Sequence, residues 1–206
     1  MIKNVIFDFG NVITIFSPEK MTKPYVEKES EIKLVSDVVF DRIYWDRLDR
    51  GTISDEEVKA GIRSRLGEEL GEVGCRVYDN WMFNLEPVEG IRDIILSLKK
   101  SGKKLYILSD ISIGFANGYK RVGWLNELFS NFDGFVFSGT VGMVKPSEEI
   151  FRHLLDTYAL EADECLFIDD RKANIDGANS VGIRGIVFDG NCEELKKRIG
   201  EMPIEL

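Results

Sequence analysis

Five short apolar runs, separated by longer segments, constrain the fold of this 206-residue chain most strongly. They are rich in Val, Ile, Phe and Leu and lie at 4–9, 104–108, 134–138, 165–168 and 185–188. Because they are apolar on both faces, they are typical of parallel strands covered on both sides. The segments between the last four runs have helical periodicity. This alternation predicts an α/β fold with a doubly wound, Rossmann-like parallel sheet.

Residues 17–85 interrupt the alternation and contain no convincing strand. Ser54 with Glu57 three positions later is a helix-start pattern. Apolar residues recur at three- and four-residue intervals, as in a small helical bundle. We therefore predict a core formed by residues 1–16 and 86–206, with a small α-helical subdomain inserted at 17–85.

Composition and charge exclude several classes of function. Lys and Arg number 27 against 36 Asp and Glu, giving a net charge of −9, so we expect no nucleic-acid or anionic-membrane partner. No apolar run approaches the roughly 20 residues of a membrane span, and the N-terminus lacks a signal-peptide pattern, so we expect a cytoplasmic protein. The three cysteines form no C-x-x-C pair, and the single histidine, His153, excludes H-E-x-x-H zinc chemistry.

Polar residues follow the predicted strands where the strands end. Because the carboxyl ends of parallel strands line one crevice, where ligands bind, we expect these side chains to lie together. Any one of these polar residues could simply cap the helix or turn that follows it, but capping is a poor explanation for all of them together. The set is Asp8 after the first strand, Ser109 and Asp110 after the second, Lys145 after the third, and Asp169 and Asp170 after the fourth.

The residue types in this crevice favour phosphate chemistry. Clustered carboxylates repel one another and are best tolerated around a divalent cation, with Mg²⁺ favoured by all-oxygen ligands. A metal ion and Lys145 together suit a phosphate group. Asp8, which is ionised without help from a histidine, is a candidate nucleophile at phosphorus. No Walker sequence is present.

Four segments resemble the motifs of the haloacid dehalogenase-like hydrolase superfamily, in the same order and with similar spacing. They are VIFDFGNVI at 5–13, LSD at 108–110, GMVKP at 142–146 and FIDDRKANIDGA at 167–178. The insert at 17–85 resembles the helical cap of some members. The DFGNVI form resembles the branch with bacterial sugar-1-phosphate phosphatases and the phosphatase domain of soluble epoxide hydrolase.

The resemblance implies a role for each matching residue. Asp8 is implied as the nucleophile that forms an aspartyl-phosphate, and Lys145 as the group that stabilises charge. Ser109 and the backbone of Asp110 are implied to bind phosphate, beside Lys145.

The resemblance also implies a magnesium site. Asp8, the Gly10 carbonyl, Asp169 and Asp170 are the implied ligands, and Asn174 resembles a residue that orders the site. The substrate implied is a small-molecule phosphate ester.

Two residues depart from the family pattern. Gly10 stands where most phosphatases of the superfamily carry a second aspartate, which acts as general acid and base. Without this aspartate, three alternatives are open. The cap supplies the acid, the substrate has a better leaving group such as an anomeric sugar, or the reaction proceeds without an acid. Asp110 stands where asparagine is usual, and its charge would repel phosphate unless the carboxyl is protonated or turned away.

Several cap residues have side chains that could select a substrate, although packing and solvation explain the same residues and are favoured. They are Tyr44, Trp45, Asp46, Arg47, Arg50, Trp81 and Phe83.

The primary hypothesis is a Mg²⁺-dependent phosphatase of small phosphomonoesters, possible substrates including sugar phosphates. A metal-free 2-haloacid dehalogenase is an alternative, because that chemistry also uses an aspartate nucleophile and lacks the second aspartate. The acidic pair Asp169 and Asp170 argues against it, since dehalogenases carry neutral residues there. A catalytically weak phosphate-ester-binding protein is a third hypothesis, suggested by Gly10 and Asp110.

Overall fold

Five parallel strands form the central sheet in the computed structural model, which describes residues 1–202. Their order is β5-β4-β1-β6-β7, and every neighbouring pair is parallel. The predicted α/β fold is confirmed, because each apolar run overlaps one strand of the sheet. The strands are β1 (Asn4–Phe7), β4 (Lys104–Ser109), β5 (Gly134–Phe137), β6 (Cys165–Asp169) and β7 (Arg184–Val187).

Successive residues of β1 face opposite sides of the sheet, as the period of two requires. Val5 and Phe7 pack into one hydrophobic cluster, whereas Ile6 packs into a second. Helices cover both faces, which explains why the strands are apolar throughout. These helices are α6 (Ile91–Lys100), α7 (Ile113–Gly118), α8 (Gly123–Phe129), α9 (Ser138–Val141), α10 (Glu148–Tyr158), α11 (Lys172–Ser180) and α12 (Cys192–Gly200).

Helices fill the segment 17–85. Ser54 and Glu57 form a reciprocal capping box at the start of the fourth helix. A Cβ on Gly74 would lie 2.6 Å from Ile62, so the fourth and fifth helices pack closely there. The helices are α1 (Pro18–Thr22), α2 (Glu29–Val39), α3 (Arg42–Leu48), α4 (Asp55–Leu66) and α5 (Glu68–Asn80), with 3₁₀ turns at Lys23–Tyr25 and Trp81–Asn84.

A short antiparallel pair joins the two ends of the helical segment. Strand β2 (Thr14–Ile15) pairs with β3 (Glu86–Pro87), so the chain enters and leaves the segment at adjacent points. None of the helices within residues 1–202 is long and apolar enough to cross a membrane.

The register of the sheet brings the predicted polar residues together. Phe7 of β1 is level with Ile107 of β4 and with Ile168 of β6. The residues that follow these three positions therefore lie at one edge, with Asp8 in the middle. Because β1 is the central strand, Asp8 is flanked on both sides.

Gly177 of α11 provides a test of the packing beneath this edge. A Cβ at Gly177 would overlap the carbonyl oxygen of Pro146 and lie 3.0 Å from the Phe151 ring. We expect Gly177→Ala to lower the free energy of unfolding by about 1–3 kcal/mol, the usual cost of overpacking, in denaturant titrations.

Gly123 at the start of α8 is the matched control, because a Cβ there meets no atom within 4 Å. Gly123→Ala is expected to leave stability unchanged or to raise it by up to about 1 kcal/mol. Equal stability of the two variants would contradict the close contact at Gly177.

Candidate active site

The Lys145 ammonium lies between two carboxylates at the edge of the sheet. Its Nζ atom is 2.7 Å from Asp8 Oδ1 and 2.8 Å from Asp169 Oδ2. All three side chains are buried. Burial alone would lower the pKa of Lys145, but the Asp8 and Asp169 carboxylates raise it above its ordinary value. The lysine is therefore held as a cation that links the ends of β1 and β6.

The Asp169 carboxylate accepts four hydrogen bonds from three donor groups of the described residues. Besides Lys145, the backbone N–H of Arg171 donates to Oδ1 at 2.8 Å. Asn174 Nδ2 donates to both carboxylate oxygens, at 3.0 and 2.9 Å. Asn174 is buried in the first turn of α11, which begins directly after this loop. The short loop therefore fixes the orientation of Asp169.

Asp8, Asp169 and Asp170 form an acidic cluster that fits a hard cation. Each offers a carboxylate oxygen, and the three atoms lie within 4.8 Å of one another. Burial raises the pKa of Asp8; Lys145 opposes this effect and Asp169 adds to it. One lysine thus leaves negative charge uncompensated, which a divalent cation would neutralise. Asp170 is only half-buried and accepts one hydrogen bond, from Asn11 Nδ2 at 3.2 Å.

A cavity of about 200 Å³ opens above this cluster. Asp8, Gly10, Ser109, Asp110 and Lys145 line it, so the structure brings most of the predicted site residues to one place. The described residues of the helical segment that line the cavity are Phe40, Arg42, Trp45, Asp49 and Trp81.

The Asp110 carboxylate is turned toward the backbone. Its Oδ1 accepts the Lys145 backbone N–H at 2.9 Å, which is one of the two arrangements that would keep it from repelling phosphate. Burial raises the pKa of Asp110, while the Lys145 ammonium opposes this effect. Ser109 beside it is buried at the end of β4.

Aromatic rings form one wall of the cavity. Trp45 is in contact with Phe16, Phe40 and Trp81, with ring centroids 5.5, 5.3 and 5.2 Å away. Its indole N–H donates to the Val39 carbonyl at 2.9 Å, so the indole is fixed within the helical segment. Of the aromatic candidates from the sequence, Trp45 and Trp81 line the cavity, and Tyr44 and Phe83 do not.

Asp49 is one of three cavity residues of the helical segment, with Phe40 and Arg42, that sequence reasoning missed. It follows α3, and its Oδ1 is buried without a hydrogen-bond partner among residues 1–202. Burial raises the pKa of Asp49 to about 7; Asp110 adds to the shift and Arg42 opposes it. The sequence signal was indirect: an acid borrowed from the cap was one of three alternatives that Gly10 left open, and no pattern distinguished Asp49 from the many other carboxyls at 17–85.

The sequence matches the haloacid dehalogenase-like hydrolase family over residues 2–182. The chain belongs to this family. It is therefore a hydrolase, as the four motifs predicted. The mouse bifunctional epoxide hydrolase 2 is 30% identical over 105 residues, covering 50% of this chain and 19% of that protein. This match agrees with the predicted branch of the superfamily.

Two phosphatases resemble the chain along most of their length. A sesquiterpene phosphatase of Aspergillus oryzae is 24% identical over 201 residues, covering 96% of this chain and 97% of that protein. A D-ribitol-5-phosphate phosphatase of Bacteroides thetaiotaomicron is 26% identical over 188 residues, covering 88% and 89%. The fold resembles that of a family enzyme from the same bacterium, crystallised with magnesium and inorganic phosphate. The TM-score is 0.73 at 21% identity, covering 93% of this chain and 96% of that one.

Removal of the buried lysine tests the charge balance of the cluster. Lys145→Met leaves Asp8 and Asp169 without their shared counter-ion, so we expect the free energy of unfolding to fall by about 3–5 kcal/mol without added metal. Lys172→Met is the control, because Lys172 pairs with Asp176 on the exposed face of α11 and should contribute less than about 1 kcal/mol. Similar losses in both variants would contradict this assignment.

The pKa of Asp49 gives stability a defined pH dependence. A carboxyl whose pKa is higher in the folded state stabilises that state below its unfolded pKa, and this contribution is lost as pH rises through about 7. Asp49→Asn should therefore become steadily more stable relative to wild type between about pH 4 and pH 8. Denaturant titrations across this range measure the difference, and a difference independent of pH would contradict the raised pKa.

Proposed function

We propose that the protein is a Mg²⁺-dependent phosphatase that hydrolyses a small phosphomonoester through an aspartyl-phosphate on Asp8. One observation carries the proposal: Lys145, Asp8 and Asp170 line one cavity, and the two carboxylates form an acidic cluster with the buried Asp169. A carboxylate beside a fixed cation suits attack on a phosphate dianion, because the cation offsets the repulsion between nucleophile and substrate.

The reaction uses Asp8 twice. Its carboxylate oxygen attacks phosphorus as the ester oxygen leaves, and water then attacks the aspartyl-phosphate, releasing phosphate and restoring Asp8. Ser109 and the backbone of Asp110 hold the phosphate oxygens, and Lys145 stabilises their negative charge. The Asp110 carboxylate stays clear of the phosphate because it accepts the Lys145 backbone N–H.

Asp8, the Gly10 carbonyl and Asp170 would hold the magnesium ion, which would supply positive charge to neutralise the phosphate oxygens. Asp169 is the fourth predicted ligand, but its two oxygens already accept hydrogen bonds from Lys145, Arg171 and Asn174. Asp170 has more freedom, so it ligates the metal directly, and Asp169 acts chiefly by orienting Lys145.

The helical segment 17–85 serves as a cap on a core of residues 1–16 and 86–206; of the core, residues 203–206 lie outside the described part of the structure. The cap supplies the aromatic wall, with Trp45 at its centre. Such a wall suits a leaving group with a broad apolar face, either a sugar ring or a hydrocarbon. Of the two similar phosphatases, one is named for a sugar-alcohol phosphate, ribitol 5-phosphate, and the other for sesquiterpenes, which are hydrocarbons.

The first test is hydrolysis of p-nitrophenyl phosphate. Wild type should turn it over with magnesium and lose activity with a chelator, and Asp8→Asn should lower kcat/KM at least about 10³-fold because the nucleophile is removed. Asp170→Asn should raise the magnesium concentration needed for half-maximal rate at least about tenfold. Asp176→Asn, which removes an exposed carboxylate of α11, should leave both quantities unchanged.

Each alternative predicts a different outcome of this test. Turnover that survives Asp8→Asn would contradict the proposed nucleophile. Halide release from 2-chloropropionate without metal would support the dehalogenase. Tight binding of a phosphate ester in calorimetry, with no product after long incubation, would support a binding protein.

A further inference from the structure

The cavity contains four carboxyl groups from the described residues, and three already have partners. Asp8 is paired with the Lys145 ammonium, and Asp110 accepts a hydrogen bond from the Lys145 backbone N–H. Asp170 accepts a hydrogen bond from the Asn11 side chain. Asp49 Oδ1 is buried and has no partner among residues 1–202. A buried carboxyl oxygen without a partner is costly, and its position in the cavity beside the nucleophile favours a catalytic explanation.

Close backbone contacts fix the position of Asp49. Its N–H donates to the Trp45 carbonyl at 2.8 Å, which ends α3. The next turn packs directly on the core: a Cβ on Gly139 would lie 3.1 Å from the Leu48 carbonyl oxygen, and a Cβ on Gly51 would lie 2.5 Å from the Gly139 carbonyl oxygen. No side chain fits between these backbones. The carboxyl is thus presented from the helical segment but anchored to the sheet domain.

The other side chains near the nucleophile are poor proton donors to a departing oxygen. Gly10 has no side chain. Lys145 is a cation held by two carboxylates, and its raised pKa makes it a weak acid. His153 lies on α10, outside the residues that line the cavity. Asp110, the other buried carboxyl of the cavity, is held by the Lys145 backbone N–H. Asp49 is therefore the carboxyl in the cavity best placed to give a proton to an alkoxide leaving phosphorus.

The geometry of displacement at phosphorus directs the leaving oxygen away from the nucleophile, because attacking and leaving oxygens lie roughly in line. Asp8 lines the cavity from the end of β1, and Asp49 with its neighbours of the helical segment lines the same cavity, so a leaving group bound there has Asp49 beside it. We propose that Asp49 is the general acid of the reaction, an assignment that rests on the proposed phosphatase function.

Asp49 gives a proton in the first step of the reaction and regains one in the second. In the first step, the bond from Asp8 to phosphorus forms and the ester P–O bond breaks; the leaving oxygen keeps the electron pair and takes the proton from Asp49. In the second step, water attacks phosphorus, the bond to Asp8 breaks, and Asp49 takes a proton from the water. Both carboxyl groups return to their starting states, with alcohol and inorganic phosphate as products.

The surroundings of Asp49 support a protonated carboxyl near neutral pH. Burial raises its pKa to about 7, with a contribution from the Asp110 carboxylate and opposition from Arg42. A catalytic pKa near the working pH is the most effective for general acid catalysis.

The decisive experiment compares two esters in Asp49→Asn. The leaving group of 2-phenylethyl phosphate is a basic alkoxide that needs a proton, so kcat/KM for this ester should fall about 10²–10⁴-fold. The leaving group of 2,4-dinitrophenyl phosphate is a stable phenolate, so kcat/KM for this ester should change by less than about tenfold. The matched control is Asp37→Asn, which removes an exposed carboxyl of α2 and should leave both rates unchanged.

An equal loss with both esters would overturn the proposal, because a residue that only positions groups does not distinguish leaving groups. Unchanged turnover of the alkyl ester would also overturn it. Asp49→Ser, which removes the acid with a smaller side chain, repeats the comparison if thermal unfolding shows that the amide disturbs the fold. Failure of the phosphatase function itself is distinguishable, since wild type would then lack Asp8- and magnesium-dependent turnover of the dinitrophenyl ester.

Discussion

The buried ammonium of Lys145 is the interaction on which the rest of the site depends. It links Asp8 at the end of β1 to Asp169 at the end of β6, and its own backbone N–H holds the Asp110 carboxyl. Charges in a buried position are stable only when paired. The lysine therefore sets where the carboxyl groups lie, and Asn174 fixes Asp169 from the other side.

The same pairing leaves the site short of positive charge. Lys145 balances one of the two carboxylates it contacts, and Asp170 lies beside them. A cluster built this way favours a divalent cation and an anionic substrate together, because each offsets charge that the protein alone leaves uncompensated. The cavity also has an aromatic wall centred on Trp45, so it is lined by charged residues in one part and by aromatic rings in another.

The sheet could be predicted because its signals are local. Apolar runs on β1, β4, β5, β6 and β7 are continuous in sequence, and the residue after each strand is fixed by the parallel register. The capping box at Ser54 and Glu57 was equally local. The cavity wall was less predictable, because the helices of 17–85 present many polar and aromatic residues with the same periodicity. Only their packing separates Trp45, which lines the cavity, from Tyr44, which does not.

The sequence by itself determined the α/β fold, the order of the motifs and the placement of Asp8, Ser109, Asp169 and Asp170, since each of these residues ends a strand or directly follows one. Lys145 lies farther along, beyond the short helix α9, and the GMVKP motif indicated it. The tertiary structure alone decided which partner each charge has, and that Asp49 faces the cavity with a buried oxygen that has no partner within residues 1–202. The physical reason is that burial and charge pairing depend on contacts between distant segments, here the close approach of the turn after α3 to the core backbone.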